Sequence, residues 1–102
     1  MALHSAQMRF HEQRRRIRLS VFAYAYEFMN DSLVDDAEFD RLSQEIDLSI
    51  TTGNEEMDSF FSKEFTPDSG MWIRKHPNLE RVGEKYEMFY RRKDGELGEE
   101  MK

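Results

Sequence analysis

Residues 23–46 read AYAYEFMNDSLVDDAEFDRLSQEI, and they carry the clearest secondary-structure signals in the chain. Asn30-Asp31-Ser32 interrupts the pattern with residue types that favour turns. After this turn, Asp35 is a good N-cap, and Glu38 follows three residues later as in a capping box. The stretch therefore predicts two helices joined by a short loop, which is a helical hairpin.

The first helix is predicted over about residues 3–29, where the chain contains neither Gly nor Pro. Its polar upstream part, residues 4–16, either frays or extends the helix into solvent. The downstream part carries apolar side chains at the i, i+4, i+7, i+11 spacing of one helix face, and these are Ile17, Val21, Tyr24 and Phe28.

The second helix is predicted to run from the Asp35 cap to the turn residues 51–54, with Gly53 ending it. In the core of the hairpin, we expect Val21 and Phe28 to pack against this helix. Its apolar face would consist of Phe39, Leu42, Ile46 and Ile50.

The C-terminal half of the chain predicts further helices. A third helix fits Glu55–Phe65, whereas Gly70 and Pro77 leave the segment between them ambiguous. Asn78 begins a last candidate helix with Leu79, Val82, Tyr86 and Phe89 on one face.

A strand competes with this last helix, because Tyr86, Met88 and Tyr90 alternate and Lys93-Asp94-Gly95 could form a hairpin turn. We favour the helix. The charged residues 96–102 are expected to form a disordered tail. The predicted fold is therefore a small all-α domain over residues 1–95, followed by a flexible tail.

Composition excludes several classes of protein. A chain of 102 residues matches one compact domain. The absence of cysteine excludes a disulfide scaffold, a cysteine-ligated zinc site and a thiol nucleophile. No apolar run approaches the roughly 20 residues of a membrane span, and the N-terminus lacks the apolar region of a signal peptide. We therefore expect a cytoplasmic protein with no membrane partner.

Charge is distributed unevenly along the chain. The net charge is +4 over residues 1–26, −10 over residues 27–64 and zero over the remainder. Residues 14–18 form a basic cluster, which could contact phosphate through Arg14, Arg15 and Arg16. We favour an exposed face that pairs with the acidic middle, because the net charge of −6 opposes association with nucleic acid.

No motif indicates catalysis or metal binding. Asp36 and Asp40 have the i, i+4 spacing that could hold Mg²⁺ or Ca²⁺, but acids near a helix N-terminus are favoured by the helix dipole alone. The three histidines lack zinc-site spacing, and neither a nucleophile motif nor a Gly-rich phosphate loop occurs. We therefore predict no catalytic residue, no metal site and no enzymatic activity.

The aromatic stretch at residues 22–28 is predicted to be mostly core. Rings two positions apart cannot share one helix face, so some of them must border a groove. A groove lined by rings and carboxylates suits a flat, partly cationic ligand.

The segment Ala23–Ile46 resembles the N-terminal Ia domain of bacterial NAD-dependent DNA ligases. Asp36-Ala37-Glu38-Phe39-Asp40-Arg41-Leu42 stands where that family has Asp-Ala-Glu-Tyr-Asp-x-Leu, with matching spacing back to Tyr24 and Tyr26. Further on, Thr66-Pro67-Asp68-Ser69 and Arg81-Val82-Gly83 are similar to two later stretches of the family. The resemblance covers roughly residues 12–83 and is strongest over residues 23–46.

In those ligases the Ia domain binds the nicotinamide mononucleotide half of NAD. The resemblance implies that the ligand-binding residues here would be Tyr26, Glu27, Asp36, Phe39 and Asp40. Two of them depart from the family, since Glu27 replaces a histidine and Phe39 replaces a tyrosine. The first change places a negative charge near the ligand phosphate, and the second removes a hydroxyl. Both changes imply weakened or lost nucleotide binding.

The chain has no room for the other domains of a ligase, and Arg92 stands where the lysine of Lys-x-Asp-Gly would be. We therefore expect a non-catalytic, degenerate Ia-like module that acts through an unidentified protein partner, and we hypothesise a phage or prophage origin. The alternative is a weak binder of nicotinamide mononucleotide or NAD that supports or modulates a ligase in trans. No other cofactor is expected, and a nucleic-acid accessory role would depend only on the basic cluster.

Overall fold

The computed structural model describes residues 4–91, and every regular element in this range is helical. The predicted all-α class is therefore confirmed. The proposed turn at Lys93-Asp94-Gly95 and the predicted tail at residues 96–102 lie outside the described residues. The helices are α1 (Ala6–Met29), α2 (Asp36–Gln44), α3 (Glu55–Glu64) and α4 (Leu79–Lys85), with a 3₁₀ turn at Met71–Lys75 and a π-helical segment at Tyr86–Tyr90.

Helix α1 is the central element, because it contacts α2, α4, the 3₁₀ turn and the π-helical segment. It begins at a Ser5 cap whose side chain accepts a hydrogen bond from the Met8 amide at 3.0 Å. It ends where Asn30 adopts a left-handed conformation with φ 53° and donates its amide to the Ala25 carbonyl. The predicted turn is confirmed, and the polar upstream half is helical rather than frayed.

The core forms around α1, and every other element of the fold contributes buried apolar side chains to it. Phe61 is completely buried, and its ring centroid lies 5.3 Å from that of Trp72. The buried apolar side chains of the core are Leu19, Val21, Ala23, Ala25, Leu42, Phe60, Phe61, Trp72, Ile73, Val82 and Tyr86.

The prediction of a hairpin core is confirmed for Val21 and Leu42, which are both buried. Ile46 is half-buried. The prediction was wrong for Phe28, which is 43% exposed. Its ring packs against Tyr24 at 5.2 Å and lies under the guanidinium of Arg74, so it is at the edge of the core rather than inside it.

The predicted length of the second helix was also wrong, because α2 ends at Gln44 instead of near residue 50. The Asp35 cap is confirmed, with its side chain accepting from the Glu38 amide at 2.8 Å. Beyond the helix, Ile50 is still buried, but in a loop. Gly53 has φ +95° and lies in this same loop rather than at a helix end.

Side chains of α1 explain the early end of α2. Glu12 accepts a hydrogen bond from the Asp47 amide at 3.0 Å. Arg16 donates from one nitrogen to the carbonyls of Asp47, at 2.9 Å, and Ile50, at 3.0 Å. These backbone groups therefore bond to side chains from a distant part of the chain rather than to a continued helix.

The expectation that Arg14, Arg15 and Arg16 are mostly exposed was wrong for Arg16, which is 1% exposed. Its Nε lies 2.8 Å from Glu12, and its Nη1 lies 2.9 Å from Asp58, which belongs to the acidic middle segment. Arg15 also binds Glu12 and is half-buried, whereas Arg14 is exposed. A buried guanidinium needs this full set of partners, because an unpaired buried charge is strongly destabilising.

The C-terminal elements follow the helical prediction. Helix α3 matches the predicted third helix, and residues 86–90 are π-helical rather than a strand. At the α1–α4 contact, a Cβ added to Gly83 would lie 2.7 Å from the Tyr24 hydroxyl, so glycine permits this close approach. None of the helices within residues 4–91 is long and apolar enough to cross a membrane.

Candidate functional site

A cavity of about 280 Å³ opens between α1, the connection to α2, the first turns of α2 and residues 68–70. We call it the acidic cavity. The five ligand-binding residues implied by the ligase resemblance all line it, and they are Tyr26, Glu27, Asp36, Phe39 and Asp40. The structure therefore places all five of these side chains around one cavity.

The acidic cavity has aromatic walls. Tyr26 is 59% exposed, whereas Phe39 is half-buried. The para carbon of Phe39 lies 3.3 Å from where a Cβ on residue 70 would be, and Gly70 therefore allows residues 68–70 to approach α2. A tyrosine at position 39, which the ligase resemblance implies for the family, would carry its hydroxyl on that carbon and place it beside Gly70.

Four carboxylates line the acidic cavity, and no Lys, Arg or His is among its lining residues in the described part of the chain. Asp36, Asp40 and Asp68 are exposed, and none of the three has an ion-pair partner within residues 4–91. Unpaired carboxylates around a concave surface attract cations and repel anions such as phosphate.

Glu27 differs from the other three carboxylates because it is paired. Arg74 donates to one Glu27 oxygen from Nη2 at 3.0 Å and from Nε at 3.2 Å. The same guanidinium lies 5.6 Å from the centroid of the Phe28 ring. The negative charge of Glu27 is thus partly neutralised within the protein.

Sequence reasoning missed some residues of the acidic cavity. Asp68 and Ser69 line it, and the likeness to the Thr-Pro-Asp-Ser stretch was a signal that could have placed them there. Leu33 and Val34 also line it, but no local pattern indicated this. The role of Arg74 had no signal either, because it is 47 positions from its partner Glu27.

The other residues considered from the sequence lie elsewhere or form no site. Within the described range, no group of three or more His, Asp or Glu side chains could hold a metal ion. His76 packs on Phe60 with ring centroids 4.9 Å apart, and burial lowers the pKa of its imidazole. Arg14 and Arg15 line a different concavity, which also contains His11.

Comparisons of the chain with protein-family models, with curated proteins and with solved structures found no match. The resemblance to the ligase Ia domain therefore stays a hypothesis that depends on the quoted motifs.

Proposed function

We propose that the chain is a non-catalytic binding module whose acidic cavity receives a basic side chain of a protein partner. The observation that carries this proposal is the composition of the cavity wall. It combines four carboxylates with the rings of Phe22, Tyr26 and Phe39, and no basic residue in the described part of the chain contributes to it.

A guanidinium or ammonium group fits this wall for two physical reasons. Carboxylates form charge-assisted hydrogen bonds with cationic donors, and these are stronger than neutral ones. Aromatic faces attract cations through the ring quadrupole. Because Glu27 is already paired with Arg74, the unpaired Asp36, Asp40 and Asp68 would supply most of the attraction.

The test is an NMR titration of the isotope-labelled protein at low salt with a capped pentapeptide, Gly-Gly-Arg-Gly-Gly. We expect saturable shifts at the amides of Phe22, Tyr26 and Phe39. The same peptide with Glu in place of Arg should give none. A response to neither peptide, or an equal response to both, would contradict the proposal.

A charge-matched pair of variants makes the test specific. Asp36→Asn, Asp40→Asn and Asp68→Asn combined should weaken peptide binding at least tenfold, or about 1.4 kcal/mol. The control combines Glu55→Gln, Glu80→Gln and Glu84→Gln, which removes three exposed charges away from the cavity and should retain most of the affinity. Equal losses in both variants would indicate a general charge effect and would count against the site.

The second candidate is binding of a nicotinamide nucleotide, in support of a ligase in trans. It is favoured by one observation, which is that the five residues implied by the resemblance share one cavity with Asp68 and Ser69. The carboxylates of the wall oppose a phosphate, and each defect relative to the family should cost about 1–3 kcal/mol.

We therefore expect nicotinamide mononucleotide to give no saturable shifts at millimolar concentration. Glu27→His should strengthen any response, because it removes one carboxylate and frees the Arg74 guanidinium. Micromolar binding to the unmodified protein, lost in the triple Asp→Asn variant, would make this second candidate the better account.

A further inference from the structure

A second concavity, of about 600 Å³, lies between α1 and the end of α4 with the following π-helical segment. We call it the basic groove. Its charged lining residues within residues 4–91 are Arg14, Arg15, Arg18 and Lys85, and no carboxylate in this range lines it. Among the described residues, the groove and the acidic cavity share no lining residue, so the groove is a separate site from the one proposed above.

Most of the cations of the basic groove have no carboxylate partner within the described residues. Arg14, Arg18 and Lys85 have no ion-pair partner within residues 4–91. In a protein with 21 acidic and 15 basic residues, three unpaired cations on one groove leave a site for an external anion.

Aromatic side chains border the same groove. Phe89 is 68% exposed. Beside it, Tyr90 is half-buried and packs edge-on against Phe22, with ring centroids 5.7 Å apart and an interplanar angle of 84°. The Tyr90 ring is therefore held in place by α1, while the Phe89 ring has a free surface next to the cations.

We propose that the basic groove binds single-stranded nucleic acid, with Arg14, Arg18 and Lys85 at phosphates and Phe89 stacked on a base. Guanidinium groups match the geometry of phosphate oxygens. An exposed ring adds stacking with an unpaired base, which a duplex does not offer. An acidic peptide would satisfy the cations but would make no use of the exposed ring.

The net charge of −6 does not prevent this binding. Charges on the surface are screened over a Debye length of about 8 Å at physiological ionic strength. A phosphate inside the groove therefore responds mainly to the cations that line it.

The test uses fluorescence anisotropy of the full chain with labelled 12-nucleotide strands of dT and of U at 50 and 200 mM salt. We expect micromolar binding at the lower salt. Three phosphate contacts on a single strand predict a log–log salt slope of about −2, or roughly a 15- to 20-fold loss of affinity between the two conditions. Salt-independent binding, or none at 50 mM, would overturn the proposal.

The decisive variants separate charge from stacking. Arg14→Gln, Arg18→Gln and Lys85→Gln combined should reduce affinity at least tenfold. Phe89→Leu keeps the apolar bulk but removes the ring, and it should reduce affinity about tenfold without changing the salt slope. All variants should keep the unfolding temperature of the parent to within a few degrees, because these side chains are largely exposed or partly buried at the surface.

The control combines Lys63→Gln, Lys75→Gln and Arg81→Gln, which changes the net charge equally at exposed positions outside the groove. It should retain most of the binding, and a loss equal to that of the groove variant would overturn the assignment. Two further ligands test the choice of single strands, and these are a 12-base-pair duplex and an oligoglutamate peptide. If either binds as tightly as the single strands, and Phe89→Leu has no effect, the proposal is overturned in favour of another anionic partner.

Discussion

The N-terminal half of α1 is fixed by buried charges, whereas its C-terminal half is fixed mainly by apolar side chains. In the first half, Glu12 and Arg16 are both buried and reach across to the loop after α2 and to Asp58 of α3. In the second half, Val21 and Ala25 are buried in the apolar core. One helix is thus held by two kinds of contact, buried ion pairs and apolar packing. The two kinds differ in how far local sequence predicts them.

The two halves also differ in tolerance to substitution. An apolar contact that is lost leaves a cavity, and neighbouring side chains partly relax into it. A buried ion pair that loses one member leaves charged and polar groups without partners. This lowers the free energy of unfolding by about 3–5 kcal/mol. The N-terminal half should therefore be the more sensitive to a single substitution, although it looks the more polar and solvated in sequence.

The largest expected effect is that of Arg16→Gln. It removes the ion pairs with Glu12 and Asp58 and the hydrogen bonds to two backbone carbonyls. We expect a loss of about 3–5 kcal/mol in the free energy of unfolding, measured by urea denaturation. Arg14→Gln is the matched control on the exposed face of the same helix. If the two variants lose the same small amount, the N-terminal half is not held by this cluster.

Leu42→Ala tests the apolar side of the comparison. Leu42 is 7% exposed and belongs to the core cluster with Val21. We expect a loss of about 2–5 kcal/mol in the free energy of unfolding. Gln44→Ala, at an exposed position of the same helix, should change it by less than about 0.5 kcal/mol. A loss below 0.5 kcal/mol for Leu42→Ala would mean that α2 does not pack on α1 as the structure has it.

Tyr86 of the π-helical segment contacts Asp31, just after the end of α1, and this contact gives a pH-dependent test. Burial, together with the hydrogen bond that its hydroxyl donates to Asp31 at 2.6 Å, raises the pKa of Tyr86 to about 12. The unfolded chain releases this proton near pH 10 and the folded one near pH 12, so this tyrosine should lower the free energy of unfolding as pH rises through that window.

Ultraviolet absorbance titration should detect this tyrosinate. In Asp31→Asn the pKa of Tyr86 should fall but stay above 10, because burial is the larger cause of the shift. An unchanged titration in this variant would mean that the carboxylate does not act on the hydroxyl.

The smallest effect is expected for Arg14→Gln with Arg18→Gln. Both side chains are exposed and lack an ion-pair partner within residues 4–91. Exposed charges contribute about 0–1 kcal/mol, so the unfolding temperature should move by only a few degrees. A loss of stability as large as that of Arg16→Gln would mean that the exposed arginines of the basic cluster stabilise the fold as much as the buried one.

The sequence predicted the elements whose causes are local. The turn after Met29, the Asp35 cap and the third helix depend on neighbours within a few positions, and all three are confirmed. The residues of the acidic cavity came from the ligase motif rather than from periodicity. Their convergence could not be derived from spacing, because it also needs residues 68–70 to fold back against α2.

Local sequence fixes where helices begin, because capping and apolar spacing act over one or two turns. It could not show that α2 stops at Gln44 or that Arg16 is buried, since these depend on hydrogen bonds between groups 31 to 42 positions apart. Nor could it show that Arg74 neutralises Glu27, or that Arg14 and Lys85 share one groove. Local rules describe a side chain's own helix, whereas its burial and its charged partners are set by segments that meet only when the chain has folded.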